Sequence, residues 1–248
     1  MKDRLEALYL SYNSRDFVHP DPLEFLYRYD DPLDREVAGL IASALAYGRV
    51  ARILVSVARV LDPMGPSPRR FLLESPESEI APVCSGFTHR FCREADIAAF
   101  LLAIRRVLKA RGTIEAAFAA GFDPSSETVL PGLHRLRRAF TEAGFPAKNH
   151  LLPDPASGSA VKRLNLYLRW MVRQDAVDPG GWTAAAPRHL IVPLDTHLHR
   201  VARDLGLTKR TASDMKTALE ITAALRRFSP DDPVRYDFAL TRPGIRGE

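Results

Sequence analysis

Apolar residues recur at intervals of three and four along nearly the whole chain, whereas strict alternation of apolar and polar residues is scarce. The first spacing places apolar side chains on one face of an α-helix, and the second would place them on one face of a β-strand. The pattern therefore predicts an all-α protein. The predicted helices cover residues 3–12, 22–29, 34–61, 94–110, 113–121, 127–143, 159–174, 196–205, 212–228 and 233–241.

Two proline-rich stretches interrupt the helical pattern. Residues 62–68 contain three prolines, and a proline lacks the N–H group that a helix interior requires. Residues 145–158 contain three more prolines and end in Gly158. We predict loops at both places, the second of them leading into the helix at residues 159–174.

The positive charge of the chain is concentrated in its last third. The net charge is +5, but residues 1–158 carry 20 basic and 20 acidic residues, whereas residues 159–248 carry 15 and 10. Such an excess favours an acidic partner, nucleic acid above all. Arginine-rich proteins can also reach a high isoelectric point without such a partner, so charge alone leaves both interpretations open.

Length and cysteine content narrow the class of protein. A chain of 248 residues with 46% apolar content can bury an ordinary core, as one domain or as two lobes. Its cysteines, Cys84 and Cys92, are too few for a disulfide framework or a four-cysteine metal site. No apolar run approaches the roughly 18 residues that suggest a membrane span. We expect a cytoplasmic protein with no membrane partner.

The helix predicted at residues 159–174 carries a polar stripe opposite an apolar face. The stripe consists of Lys162, Asn165, Arg169 and Arg173. A solvated surface is the ordinary explanation for such a face. Alternatively, the glycine before the helix would let backbone N–H groups approach a phosphate, and the charge of Arg169 would disfavour protonation of Lys162, leaving a nucleophilic amine.

Asp195 stands 33 residues after Lys162, directly before a run with helical apolar spacing. It is predicted to cap that helix, a role worth about 1 kcal/mol that needs no further function. The same carboxylate could activate a nucleophile or stabilise positive charge on a deoxyribose ring. His197 and His199 are two residues apart, so on a helix they point away from each other and a shared metal ion is not expected.

Two segments resemble the helix-hairpin-helix DNA glycosylase superfamily, which includes endonuclease III and the oxoguanine glycosylases. Residues 194–207 are similar to the segment that bears its catalytic aspartate. Residues 156–162 are similar to its hairpin: the first hairpin glycine and the lysine of the bifunctional enzymes are Gly158 and Lys162, and the second glycine is replaced by Ala160. The resemblance implies that Lys162 and Asp195 are the catalytic pair.

Two further segments extend the resemblance. Residues 36–49 are similar to the superfamily's early helix and to the loop that enters the DNA duplex, and residues 235–245 are similar to its final core helix. The fold implied is all-α and two-lobed, with a cleft between the lobes. Residues 1–248 would form a single unit, in which residues 35–174 make one lobe and residues 1–34 and 175–248 make the other.

The resemblance also implies a function in base-excision repair. Lys162 would attack the anomeric carbon and form a Schiff base, giving a glycosylase with AP-lyase activity. The damaged base would be an oxidised one by analogy with the oxoguanine branch. The implied DNA contacts are Tyr47, Arg49, Gly158, Ser159, Ala160, Asn165, Arg169, Arg173, His197 and Arg200. Tyr47 would fill the gap left by a flipped nucleotide, and Trp170 and Trp182 would line the base pocket.

As a whole, the chain is identified as a member of the bacterial domain of unknown function 2400 family. The residues that carry this resemblance are Lys-Arg-Leu-Asn and Leu-Arg-Trp-Met-Val-Arg, both within residues 162–173. We expect a monomer, associated with the nucleoid, that binds double-stranded DNA containing a damaged base or an abasic site.

Two departures from the superfamily pattern bear on these expectations. The interval from Lys162 to Asp195 is longer than usual, and we expect the excess, residues 174–187, to form an exposed loop. The cysteine cluster of endonuclease III has no counterpart, so we expect no iron–sulfur cluster, metal or other cofactor. The altered hairpin and long interval favour the alternative of a non-catalytic DNA- or RNA-binding protein, and an enzyme acting on RNA or a free nucleoside is a third possibility.

Overall fold

The computed structural model describes residues 1–246. The chain is mostly helical, as the apolar spacing predicts. Its α-helices are α1 (Lys2–Tyr12), α2 (Pro32–Ala44), α3 (Val50–Leu61), α4 (Pro68–Glu74), α5 (Glu77–Val83), α6 (Glu94–Arg111), α7 (Ile114–Ala119), α8 (Leu130–Glu142), α9 (Lys162–Val172), α10 (Thr196–Asp204), α11 (Met215–Arg226) and α12 (Asp237–Arg246). Short 3₁₀ helices lie at Arg15–Phe17, Pro22–Arg28, Asp62–Met64, Pro155–Ser157 and Pro187–His189.

A small antiparallel hairpin, β1 (Thr88–His89) and β2 (Cys92–Arg93), precedes α6. The apolar spacing does not predict it, nor does it predict α4 and α5, which are seven residues each. Across residues 1–246, none of the helices combines the length and the apolar content that crossing a bilayer would require.

The single helix predicted at residues 34–61 is wrong, because the structure has two helices there. α2 ends at Ala44 and α3 begins at Val50, with Arg49 as its N-cap residue. Gly48 has a φ of 97°, a left-handed conformation that glycine adopts more readily than other residues and that a continuous helix cannot contain. The chain turns at this point, and the turn brings residues 46–50 to the candidate site described below.

The core is built around α2 and α9, which pack against each other. The hydroxyl of Tyr167 on α9 donates a hydrogen bond to the backbone carbonyl of Glu36 on α2 at 3.0 Å, and Trp170 is fully buried beside it. α12 packs against both α1 and α10, and the rings of Tyr9 and Tyr236 meet edge to face at 6.3 Å between centroids. These contacts hold α9 against α2, and α12 against α1 and α10.

Residues 174–187 do not form the exposed loop that the sequence predicts. The backbone N–H of Gly180 donates to the carbonyl of Trp170 at 3.0 Å, and that of Trp182 donates to the carbonyl of Met171 at 2.8 Å. Trp182 is 5% exposed, and its indole N–H donates to the Glu36 carboxylate at 3.2 Å. The segment therefore packs along α9 and contributes buried residues to the core.

Both cysteines are buried and reduced. Burial raises the pKa of the Cys84 thiol to about 11, and burial together with the charge of Asp96 raises that of Cys92 to about 12. A thiol is far less nucleophilic than its thiolate, so neither cysteine is reactive at neutral pH.

Candidate functional site: an amine and a carboxylate at a cavity

Lys162 is the first residue of α9, and a tight turn places it there. Gly158 has a φ of 78° and Val161 a φ of 37°. The left-handed region is disfavoured for a β-branched residue, so the surrounding contacts must hold Val161 in place. Two of these contacts are from the side-chain amide of Asn165 to the carbonyl of Ala160 at 3.0 Å, and from the N–H of Met215 on α11 to the carbonyl of Gly158 at 3.0 Å.

Asp195 is the N-cap residue of α10, as predicted. Its Oδ1 accepts a hydrogen bond from the N–H of Leu198 at 2.8 Å. Its Oδ2 lies 2.9 Å from the Nζ of Lys162, and the two side chains are 35% and 32% exposed. The two groups meet despite the long interval between them, and the capping role is compatible with this contact because it uses the other oxygen.

The pKa of Asp195 lies below its usual value. Burial by itself would raise it, but the positive charge of Lys162 and the hydrogen bond from Leu198 outweigh burial. Asp195 is therefore an anion at neutral pH and a weak proton acceptor. The arrangement suits electrostatic stabilisation of a nearby positive charge better than it suits strong base catalysis.

A cavity of about 230 Å³ opens beside this pair. Its apolar lining includes Pro20, Pro22 and Pro193, with Gly48 and Val50 from the turn before α3. The polar and aromatic lining residues come from α9, from α12 and from the segment that contains Pro22. They are Asp21, Lys162, Arg169, Asp237, Phe238 and Thr241.

The cationic stripe predicted on α9 is not exposed, and this expectation is wrong for three of its four members. Asn165, Arg169 and Arg173 are 1%, 3% and 3% exposed. Lys162 alone among them is partly accessible. The two arginines point inward because carboxylates surround them, so they are not placed to contact a phosphate on the surface. Ala160 is also buried.

A buried ion network explains the inward position of the two arginines. Asp178 is fully buried between them: its Oδ1 lies 3.1 Å from Arg169 and its Oδ2 contacts Arg173. Arg169 also contacts Asp237 at 2.5 Å, and Arg173 contacts Asp232 at 2.9 Å. Two carboxylates neutralise the charge of Arg169. The expectation that this charge disfavours protonation of Lys162 therefore loses its support.

We expect Asp178→Ala to destabilise the protein by about 3–5 kcal/mol, since it leaves two buried guanidinium groups short of an acceptor. The measurement is the free energy of unfolding in urea. Asp231, which is exposed in the same region of sequence as Asp232, provides the control, and Asp231→Ala should change stability by less than about 0.5 kcal/mol. Equal stabilities of the two variants would show that the network contributes nothing.

Trp170 and Trp182 are in the core and do not line the cavity, so the base pocket predicted for them is wrong. Trp170 is fully buried, and Trp182 packs its ring against Phe118 and Tyr167 with centroids 5.5 and 5.2 Å apart. The aromatic ring that lines the cavity is Phe238.

The predicted wedge residue, Tyr47, is half-buried under another aromatic ring. Its hydroxyl lies 3.2 Å from the carbonyl of His89 and 3.1 Å from Nε2 of His150. Its ring stacks on Phe91 at the tip of the β1–β2 hairpin, with centroids 5.2 Å apart and planes 20° apart. Phe91 is 59% exposed. The exposed aromatic side chain of this cluster is therefore Phe91 and not Tyr47.

The tip of the hairpin lies next to the cavity. Arg90, which precedes Phe91, packs against Gly48, and a Cβ at Gly48 would be 3.0 Å from the Cδ of Arg90. Arg90 has a φ of 54°, which turns the chain between the two strands. Arg49, one of the predicted DNA contacts, follows Gly48 and is exposed. An aromatic ring and two cations thus flank the cavity on this side.

A groove of about 520 Å³ runs along α10, and its lining includes three cations and the carboxylate of Asp204. Arg200, Arg203 and Lys209 line it and are exposed. His197 lies with its Nδ1 3.1 Å from Arg200. Gly158 and Ser159 of the turn before Lys162 are also exposed.

The structure therefore brings the predicted Lys162 and Asp195 together, with His197 and Arg200 on the same short helix as Asp195. The sequence interpretation missed Phe91 and the cavity residues Asp21, Asp237 and Phe238. A signal existed for two of these, because Asp237 and Phe238 lie in the segment that resembles a final core helix. For Phe91 no local signal was present.

Comparison with known proteins identifies one family. The family model described as "Protein of unknown function (DUF2400)" matches residues 21–246. No curated protein and no solved structure matches the chain.

Proposed function

Since this chain belongs to the DUF2400 family of proteins of unknown function, we propose that it is a DNA glycosylase of the helix-hairpin-helix kind with AP-lyase activity. One observation carries the proposal: an amine and an ionised carboxylate are 2.9 Å apart, partly exposed, at the mouth of a cavity. Capping of α10 uses only Oδ1 of Asp195, so it does not explain the contact between Oδ2 and the amine of Lys162.

The proposed reaction begins when a damaged nucleotide is flipped out of the duplex into the cavity. Lys162 passes a proton to water, its free amine attacks the anomeric carbon, and the bond from that carbon to the base breaks. The base leaves with the bonding electrons and takes up a proton. Asp195 stabilises the positive charge that develops on the sugar, a role in keeping with its lowered pKa.

The later steps follow from the covalent bond between Lys162 and the sugar. Opening of the sugar ring gives a protonated Schiff base. Loss of a proton from the 2′ carbon then expels the 3′ phosphate by β-elimination, which nicks the strand. Water finally hydrolyses the Schiff base and releases Lys162 as a free amine.

The surface around the cavity suits a duplex partner. The groove on α10 carries three exposed cations, Arg200, Arg203 and Lys209, which would bind phosphates. The exposed turn at Gly158 and Ser159 would approach the backbone next to the reacting sugar. We propose that a monomer with two lobes binds double-stranded DNA of the nucleoid in this way, across the cavity.

Borohydride trapping tests the proposal. The wild-type protein is incubated with a duplex containing one abasic site, and borohydride reduces any Schiff base to a stable amine. A crosslinked band and a nicked strand are expected. If neither forms while the same duplex is bound, the protein is a binding module and the enzymatic proposal fails.

We propose that the exposed ring of Phe91, rather than that of Tyr47, fills the gap left by the flipped nucleotide. Phe91→Ala should weaken binding to a lesion-containing duplex about tenfold, since stacking of a base on an aromatic ring contributes about 1–3 kcal/mol. Binding is measured by fluorescence anisotropy. Leu10→Ala is the control, because Leu10 is another exposed apolar residue, 80% exposed on α1. Affinity equal to wild type in the Phe91 variant would remove the hairpin from the DNA interface.

A further inference from the structure

The wall of the cavity contains an arginine and a carboxylate side by side. Arg169 on α9 contacts Oδ2 of Asp237 on α12 through Nη1 at 2.5 Å, and its Nε and Nη2 each lie 3.1 Å from Asp178. A guanidinium group has more N–H groups than these three contacts use. Among the described residues, the hydrogen bond from Arg169 goes to Oδ2 of Asp237 and leaves Oδ1 without one. Because both residues line the cavity, a donor and an acceptor remain on neighbouring side chains there.

The donor of Arg169 and the acceptor of Asp237 complement the hydrogen-bonding edge of one class of nucleobase. A carbonyl oxygen beside a ring N–H, the lactam edge, needs one donor and one acceptor at neighbouring positions. Arginine is the common partner of a base carbonyl, and a carboxylate accepts hydrogen bonds from base N–H groups. Adenine and cytosine instead present an amino group beside an unprotonated ring nitrogen. This edge would place a donor against the donor of Arg169 and an acceptor against the acceptor of Asp237.

We propose that Arg169 and Asp237 read the lactam edge of a flipped nucleobase, so that the protein removes keto bases in preference to amino bases. This inference rests on the proposed glycosylase function and assigns its substrate class. Oxidised guanine, hypoxanthine and uracil share the lactam edge. Arg169 and Asp237 act as specificity residues, whereas Lys162 performs the covalent chemistry.

The rest of the cavity agrees with a single planar base. Its volume of about 230 Å³ is below the roughly 300–1,000 Å³ of pockets for larger ligands. Phe238 lines it, with the guanidinium carbon of Arg242 4.2 Å from its ring centroid. Burial raises the pKa of Asp237 to about 6 against the opposing charge of Arg169. The carboxylate is therefore an ionised acceptor above neutral pH.

The test compares bases that differ only in the edge. Wild-type protein is given duplexes with one mispaired hypoxanthine or adenine, and one mispaired uracil or cytosine, with oxidised guanine as a further purine. Release of the base is measured by alkaline cleavage. We expect each keto base to be released roughly 100-fold faster than its amino partner, because an unmatched buried polar pair discriminates strongly. Comparison of the release rates from the purine and the pyrimidine duplexes shows which keto base the cavity accepts.

Trapping at a preformed abasic site runs in parallel and separates the two proposals, because an abasic site has no base to read. Equal release of keto and amino bases overturns the inference alone. Release of none of the tested bases, even while abasic sites are trapped, contradicts base excision itself. Failure at abasic sites overturns the glycosylase proposal as well.

Asp237→Asn adds a second measurement. It should lower the ratio of keto-base release to amino-base release about tenfold or more, because an amide can present either a donor or an acceptor to the base. Because Asp237 is buried against Arg169, the variant is first compared with wild type by circular dichroism and thermal unfolding. The wild-type comparison of bases does not depend on this variant. An unchanged ratio in a folded variant would also contradict a role in reading the base.

Discussion

Replacement of Lys162 by alanine is expected to abolish the borohydride crosslink to abasic DNA completely. The Nζ of Lys162 is the amine that lies at the cavity beside Asp195, and without a primary amine no Schiff base can form. The fold should survive, because an ion pair that is about one-third exposed contributes at most about 1 kcal/mol. Lys162→Arg should also give no crosslink, since arginine keeps the charge but is not a nucleophile near neutral pH.

Lys209→Ala is the matched control for Lys162→Ala. Lys209 is an exposed lysine in the α10 groove, so its loss should weaken DNA binding and reduce the salt dependence of affinity. At saturating DNA the amount of crosslink should equal that of wild type. A crosslink of undiminished yield in Lys162→Ala would mean that another amine reacts, and the assignment of the nucleophile would then be wrong.

Asp195→Asn is expected to lower the rate of base release by about 10²- to 10⁴-fold, as for the loss of a charge that acts in the transition state. Asparagine caps a helix about as well as aspartate, so the hydrogen bond to Leu198 can persist and the stability of α10 should change little. The rate is measured by single-turnover kinetics. The affinity for the duplex should stay the same or rise, because the substitution removes a negative charge near the phosphates.

Asp195→Ala separates capping from chemistry. It removes both the charge and the cap, so it should be destabilised by about 1 kcal/mol relative to Asp195→Asn while showing a similar loss of rate. If Asp195→Asn releases base as fast as wild type, then Asp195 serves only as an N-cap residue, and the amine of Lys162 acts without it.

The Lys162–Asp195 contact could be anticipated because its signals are local. A glycine before one helix and an aspartate before another are readable from a few neighbouring residues, and the resemblance to glycosylase segments suggested that the lysine and the aspartate meet. The contact at 2.9 Å confirms that convergence. The role in catalysis that the resemblance implies stays a prediction.

The burial of Arg169 and Arg173 could not be anticipated from the helix that carries them. A projection of α9 shows a polar stripe, and the same stripe would be expected on a solvated helix. Asp178 is only nine residues from Arg169, but Asp237 is 68 residues from it and Asp232 is 59 residues from Arg173. Only the packing of residues 174–187 and of α12 against α9 distinguishes a buried ion network from an exposed cationic face.

The errors near Tyr47 have a related cause. Apolar spacing continues on both sides of Gly48, so the sequence predicts one helix where the chain turns. The position of Phe91 over Tyr47 depends on the β1–β2 hairpin, whose strands have two residues each. Strands this short leave no periodic pattern of apolar residues in the sequence. Both features depend on tertiary packing rather than on local spacing.

The inert state of Cys84 and Cys92 makes the chain a convenient background for spectroscopy. Because burial suppresses both thiols, a cysteine introduced at an exposed position would react selectively with a maleimide dye. A fluorophore attached in this way beside the hairpin would report its approach to a duplex in real time, without mutation of either native cysteine.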